Sequence, residues 1–192
     1  MNERERYRPP AHSGPTLADD AFRDMMAAFP TGVSVVTARS GDARPWGMTC
    51  SSLCSLSVDP PTLLVCLRTQ SPTLRAVLAS GAFAVNLLHG ESEWVAALFA
   101  SGAPDRFDRV AWRPSRLTRS PALIEAAHAV AECAVERTHG AGDHMIVVGA
   151  VRAVDHLDHD SALLYGFRRY GELPRPVPAG AGEPGSSGPE HT

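Results

Sequence analysis

Thr31-Gly32-Val33-Ser34-Val35-Val36-Thr37-Ala38, in which Thr31 and Gly32 turn the chain into a strand over Val33 to Ala38 that Ser40-Gly41-Asp42 ends, is the stretch that decides the fold. Its β-branched content favours an extended backbone, and the polar turn residues behind it end a strand after one short pass. Upstream, Phe22, Met25, Met26 and Phe29 recur at helical spacing, so Leu17 to Phe29 reads as an amphipathic helix stopped by Pro30. The apolar stripe on that helix is expected to face the core.

Downstream the same rhythm continues. Asp59-Pro60-Pro61 is a turn, because proline cannot donate to a central ladder, and Thr62 to Leu67 follows as an apolar strand whose two sides must both be covered. Ser71-Pro72-Thr73 pairs an N-cap with proline at the first helical position, which opens a helix through Ala79 that Gly81 closes. Phe83 to Leu87 is a strand, Glu91 to Ala100 a helix with Trp94, Val95, Leu98 and Phe99 on one face, and Val130 to Arg137 and His144 to Val154 are strands. Gly149 inside the last marks a bulge or a close backbone approach. Short strands between turns, few helices and no βαβ alternation point to a mainly β chain, a closed or partly closed antiparallel barrel.

Bulk properties narrow the function. The 192 residues suit one domain, and 44% hydrophobic with 20% charged residues is a globular balance. A formal net charge of -3 gives no global positive field to gather nucleic acid or anionic lipid. All 18 basic residues are arginine, so Schiff-base chemistry on lysine and a lysine-bearing phosphate loop are excluded. Cys50, Cys54, Cys66 and Cys133 lack zinc-type spacing and read as reduced, buried small hydrophobes. His156 and His159 stand among Asp155, Asp158 and Asp160 in what reads as a solvated turn, so no metal site is expected. No apolar run approaches the ~20 residues of a membrane helix, and the charged start has no signal-type core, so the chain is expected in the cytoplasm. Residues 1–16 and 173–192 read as disordered flanks of a domain over 17–172.

Two stretches carry donor chemistry. Gly47-Met48-Thr49-Cys50-Ser51-Ser52 sets hydroxyl side chains beside a glycine and can offer N–H and O–H groups to a phosphate or polyol, or be an ordinary edge strand or turn. Arg68-Thr69-Gln70-Ser71-Pro72-Thr73 joins an arginine to a helix start, where unsatisfied N–H groups and a partial positive charge favour an anion. His144, behind Gly142-Asp143 at a strand entry, is the best placed of the histidines, with Asp143 as its orienting partner. The chain has no G-x-S-x-G elbow, no G-x-G-x-x-G and no H-E-x-x-H.

The order of these segments is more specific than any one of them. Phe29-Pro30-Thr31-Gly32-Val33-Ser34-Val35-Val36-Thr37, then Gly47 to Ser52, Val58-Asp59-Pro60-Pro61 and Phe83-Ala84-Val85-Asn86-Leu87 resemble the flavin reductase domain family. Arg106-Phe107, Gly142-Asp143-His144 and a patch from Tyr165 to Tyr170 continue the likeness, which spans about Asp19 to Leu173. The resemblance implies a split β-barrel homodimer that binds FMN or FAD, is reduced by NADH or NADPH, and hands reduced flavin to a separate monooxygenase. It implies that Gly47, Met48, Thr49, Cys50, Ser51 and Ser52, together with Arg68, Thr69, Ser71 and Thr73, hold the ribityl and phosphate groups. It further places His144 near the nicotinamide and Arg106, Phe107 and Tyr170 near the flavin. Cys50 and Arg68 depart from the residues common at those positions in the family, and FMN against FAD and NADH against NADPH stay open. A non-catalytic flavin-binding barrel and a split-barrel oxidase acting on an organic substrate are the competing readings.

Overall fold

A computed structural model describes residues 19–176. In chain order the elements are α1 (Asp19–Ala27), β1 (Thr31–Gly32), β2 (Ser34–Arg39), β3 (Pro45–Cys50), β4 (Leu53–Val58), β5 (Pro61–Arg68), α2 (Pro72–Ser80) and β6 (Ala82–Leu88). They continue with α3 (Glu93–Ser101), β7 (Arg113–Pro114), β8 (Pro121–Ala122), β9 (Ala127–Ala141), β10 (His144–His156), β11 (Ser161–Gly166) and β12 (Arg169–Pro174). The expected domain end at 172 is two residues short, since β12 runs to Pro174. The flanking segments expected to be disordered lie outside the described residues, apart from residues 173–176.

Seven strands form one antiparallel sheet in the order β3-β2-β6-β9-β10-β5-β4, and β1, β11 and β12 form a second. Both edges of the large sheet, β3 and β4, are adjacent in sequence, joined only by Ser51-Ser52. Three Cα steps span at most ~11 Å, so the sheet has to curl until its edges nearly meet. That is a split β-barrel: rolled up, with the seam left open at the Ser51-Ser52 corner. Ser52 fastens the corner, its hydroxyl donating to the Cys66 carbonyl at 2.9 Å and accepting the Cys66 N–H at 3.1 Å.

β2 reads as a nearly continuous apolar run because both of its faces are covered. Val36 and Ala38 face a barrel interior shared with Val65, Leu67, Leu74, Val77, Phe83 and Val147. Val33 and Val35 face an outer cluster with Val95, Phe99, Leu123 and Leu163. α2 plugs the interior: Leu74, Ala76 and Val77 are buried there, and burying each Leu or Val side chain contributes roughly 1.5–3 kcal/mol. Ser71 caps α2 and Gly81 ends it with a left-handed φ of 68° that a side chain would disfavour, as the sequence indicates. Gly149 sits at a register shift between β9 and β10, and a Cβ there would lie 2.5 Å from Phe83 Cζ, so the aromatic packing requires the glycine.

Three expectations need correction. The α1 stripe is not core: Phe22 is 51%, Met25 60%, Met26 44% and Phe29 61% exposed, with α1 held by Phe167 N–H donating to the Ala27 carbonyl and by an Arg168–Asp24 ion pair of 2.7 Å. β5 is not covered evenly on its two sides: on one face Val65 and Leu67 are buried and Leu63 half-buried, while on the other only Thr62 is buried and Leu64 and Cys66 are half-buried. Of the free cysteines, Cys50 and Cys133 are buried, but Cys66 is intermediate and Cys54 exposed. In addition, His159 does not stand in open solvent: its ring stacks on His89 with centroids 3.9 Å apart.

Candidate functional site

The Gly47 to Ser52 stretch lies on the edge strand β3 running into the seam, and β3 packs against both α2 and α3, with Gly47 against Phe99 near the end of α3. Gly47 is packed under aromatic rings, where a Cβ would meet Phe99 Cε1 at 2.9 Å and Phe107 Cζ at 3.1 Å. Phe99 and Phe107 meet edge to face at 5.1 Å, and Phe107 meets Trp112 in the same way at 5.8 Å. This wall shapes a cavity of about 610 Å³ that opens between β3, α2 and the loop after α3. Arg44, Trp46, Met48, Ser71, Thr73 and Arg106 line its other sides.

The two donor stretches therefore converge, but through Met48 rather than Thr49: the Ser71 hydroxyl lies 3.2 Å from Met48 Sδ. Thr49 instead donates to the Ala96 carbonyl at 2.6 Å, which ties β3 to α3. Cys50 Sγ lies 3.2 Å from Ser52 Oγ, and burial pushes the Cys50 thiol above its ordinary range, so it is a neutral packing group. Ser51 is exposed at the seam.

Helix α2 does not offer the free N–H groups expected of it. Pro72 has no N–H, and the Thr73 and Leu74 N–H groups both donate to the Ser71 hydroxyl, at 3.1 and 3.4 Å. The partial positive charge of the helix start remains, while the open hydrogen-bonding capacity comes from guanidinium groups. Arg44 lies over the Trp46 ring at 4.6 Å and has no carboxylate within ion-pair distance among the described residues. Arg106 is only 7% exposed, and its Nε donates to the Gly47 carbonyl at 3.1 Å while Nη1 donates to the Gly102 and Ala103 carbonyls at 3.0 and 2.6 Å. Burial, with the charge of Arg44, lowers its pKa from the ordinary arginine value. It is mainly a brace between β3 and the end of α3, with one edge on the cavity.

His144 and Arg68 form a second group. They are direct cross-strand partners of β10 and β5, so their side chains project on the same face, opposite to buried Leu67. His144 Nδ1 lies 2.7 Å from Asp143 Oδ1, and that hydrogen bond holds the Asp143 carboxyl below the usual carboxylate range. The carboxylate accepts, so Nδ1 carries the proton and Nε2 is turned outward. Thr69 locks the two loops together, its N–H and hydroxyl both donating to the Asp143 carbonyl at 2.9 and 3.1 Å. The short turn from Arg68 to Ser71, closed by Ser71 N–H on the Arg68 carbonyl at 2.9 Å, links this group to the cavity.

Tyr170 stands apart from both. It pairs with Tyr165 across β11 and β12 at 5.0 Å between centroids, within the outer cluster, and burial with the neighbouring Tyr165 and Glu93 raises its pKa. It does not line the cavity, so its expected approach to a cofactor finds no support in the geometry. Arg44 and Trp46 are the residues that sequence reasoning passed over. Their adjacency to Gly47 in Arg44-Pro45-Trp46-Gly47 was the available signal.

A wall of Trp46 and Phe107, with arginine forks and a helix start on one rim, fits a planar heteroaromatic ring carrying an anionic tail. No cluster of three or more potential metal ligands occurs among the described residues. Fold and site together define a split-barrel protein that handles nucleotide-like cofactors without a doubly wound sheet. The chain belongs to the family described as flavin reductase like domain, which matches residues 26–174. It is 48% identical over 163 residues to a flavin reductase (NADPH) of Lentzea aerocolonigenes, covering 85% of this chain and 92% of that one. It is 40% identical to HsaB, the reductase subunit of a flavin-dependent monooxygenase of Mycobacterium tuberculosis, over 71% of each chain. Among solved structures, the NADH:FAD oxidoreductase SgcE6 of Streptomyces globisporus, in complex with NAD and FAD fragments, superposes with a TM-score of 0.74 at 31% identity, covering 86% of this chain and 99% of that one.

Proposed function

We propose that this chain is an NAD(P)H-dependent flavin reductase that binds flavin around the Arg68–Ser71 turn and releases it reduced to a separate monooxygenase. The observation that carries the reading is the convergence of Met48, Ser71, Thr73, Arg106 and Phe107 on one cavity, with Arg68 and His144 at the other side of the same turn. When bound together, nicotinamide and flavin supply the chemistry themselves, a hydride moving from C4 of one ring to N5 of the other. The chain's own residues position. Arg44 and Arg68 attract the anionic tail, Trp46 and Phe107 give the ring a flat wall, and Asp143 holds the His144 ring so that Nε2 faces the incoming nicotinamide. No general acid or base is required, in keeping with the lack of a triad.

The openness of the cleft to solvent suits a flavin that comes and goes rather than a permanent prosthetic group. In the same reading the chain is a cytoplasmic homodimer. The free cysteines suit a reducing compartment. The exposed stripe of α1, with Leu56 and Val58 exposed on edge strand β4, supplies the apolar surface a dimer would cover. Light scattering after gel filtration should give twice the chain mass, and Phe22→Glu should lower it.

A steady-state assay of purified chain with NADH or NADPH and FMN or FAD, following nicotinamide absorbance, tests the proposal. Turnover with at least one of the four combinations by colourless protein is the expected result. Absence of turnover with all of them would leave a binding barrel, and flavin that stays bound through gel filtration would favour an oxidase.

A further inference from the structure

A second cavity, of about 340 Å³, lies at the opposite end of α3 from the flavin cleft. His89, Glu91, Ser92, Trp94, Val95, Arg109, Val110, Glu125 and Ala126 are on its wall, and none of them lines the first cavity. Three features of this wall are unusual. Ser92 is the N-cap of the nine-residue helix α3, yet its side chain makes no capping hydrogen bond, its backbone standing at φ -93° and ψ 23°. The residue is only 2% exposed and its hydroxyl has no hydrogen-bond partner among the described residues; since no side-chain nitrogen or oxygen fully shut away from solvent goes unpartnered there, the hydroxyl keeps a share of that small exposure, and Ser92 is on the cavity wall. The Glu93, Trp94 and Val95 N–H groups precede the first helical bond, that of Ala96 N–H to the Ser92 carbonyl, and among the described residues no backbone group accepts from them. A helix start whose own cap is turned away is a ready anion site.

Charge on the wall is divided. Arg109 stands on it with no carboxylate in ion-pair distance among the described residues, although Glu91 and Glu125 belong to the same wall. His89 cannot take a ligand, because Nδ1 accepts the Glu91 N–H at 3.3 Å and Nε2 donates to the Glu125 carbonyl at 3.0 Å. Those two bonds fix the loops that carry the two glutamates. Between the charges the wall is apolar, from Val95, Val110 and Ala126, with the half-exposed Trp94 indole at the rim.

We infer that this cavity binds a small zwitterion, an α-amino acid with an aliphatic side chain. Its carboxylate sits at the α3 start between the Ser92 hydroxyl and Arg109, its ammonium faces Glu91 and Glu125, and its side chain covers Val95 and Val110. A simple anion would meet the two glutamates, and a simple amine would leave Arg109 and the helix start unanswered. The site stands independently of the flavin reading, since none of its residues serves that cleft.

Calorimetric titration of the full chain with L-leucine tests this, beside 4-methylpentanoate as the carboxylate-only probe and 3-methylbutylamine as the amine-only probe. L-leucine should bind at one site per chain, both half-probes at least ~10-fold more weakly. Arg109→Gln and Ser92→Ala should each weaken L-leucine at least several-fold, and Ser92→Ala should leave the melting temperature unchanged because its hydroxyl makes no bond to lose. Saturating flavin should leave L-leucine binding intact. No binding of L-leucine, equal binding of either half-probe, indifference to both substitutions, or displacement by flavin would each overturn the assignment.

Discussion

Replacing Arg106 with methionine separates bracing from cofactor contact. The substitution keeps the aliphatic stem but removes donors to the Gly47, Gly102 and Ala103 carbonyls. A hydrogen bond to a charged group contributes ~1.5–3 kcal/mol, so three would give roughly 5–9 kcal/mol if all the acceptors stayed dry. Gly102 is exposed and Ala103 half-buried, so water takes over those carbonyls. Gly47 is buried beneath Phe99 and Phe107, and its carbonyl loses its partner for good. The net expected cost is therefore ~2–4 kcal/mol, or a fall of about 10 °C in Tm for a domain of this size. Thermal unfolding followed by circular dichroism reads this directly, and Arg106→Lys, which retains one donor, should fall in between. At a temperature where the variant is folded, its KM for flavin should rise while its KM for the nicotinamide stays near that of the parent. A Tm within about 1 °C of the parent would refute the bracing argument.

His144→Ala should raise the KM for the nicotinamide more than that for flavin in steady-state assays, with kcat less affected; equal rises in both would remove His144 from the nicotinamide side. Glu132 is buried, which alone would raise its pKa, yet the Thr118 and Leu117 N–H groups and the Ser115 and Thr118 hydroxyls hold it below the ordinary 4.5. Its contribution is thus present above about pH 4.5 and lost as pH falls through the lowered folded value, so Glu132→Gln should cost ~2–3 kcal/mol in urea unfolding at pH 7 and progressively less below pH 4. A gap independent of pH would contradict this. Gly149→Ala should cost ~1–3 kcal/mol by driving a methyl into Phe83, and the added Phe83→Leu should recover part of the loss; strict additivity of the two changes would disprove the contact.

Much of the fold was legible because local chemistry and burial agree. Ser71, Pro72 and Gly81 punctuate α2 where the chain says they should, and β2 reads as a strand because both of its faces are covered. α1 misled for a physical reason: helical periodicity reports an apolar face but not whether that face meets this chain's own core, and here it meets none. β3 was open between an edge strand or turn and a donor loop, and β4 was missed, because serine, cysteine and glycine carry weak strand preference; both are strands through pairing with β2 and β5 that no local pattern encodes. β11 and β12 went unread for the same reason, around the tight Phe167-Arg168 turn.

The site was legible as two donor stretches, not as a geometry. Spacing could not tell that the hydroxyls of Thr49, Ser52 and Ser71 would each be engaged by the protein itself, at Ala96, at Cys66 and at the start of α2, which leaves ligand capacity to arginines. Nor could it tell that Arg44 and Trp46 would close the cavity from the far side.

A crystal structure of the chain soaked with FMN is the most direct measurement of where the cofactor lies. The flavin is expected at the Arg68–Ser71 turn, in contact with Met48 and the Trp46–Phe107 wall, with the His144 ring facing the stack. Flavin seated elsewhere, touching neither the cavity nor the Arg68–His144 pair, would contradict this.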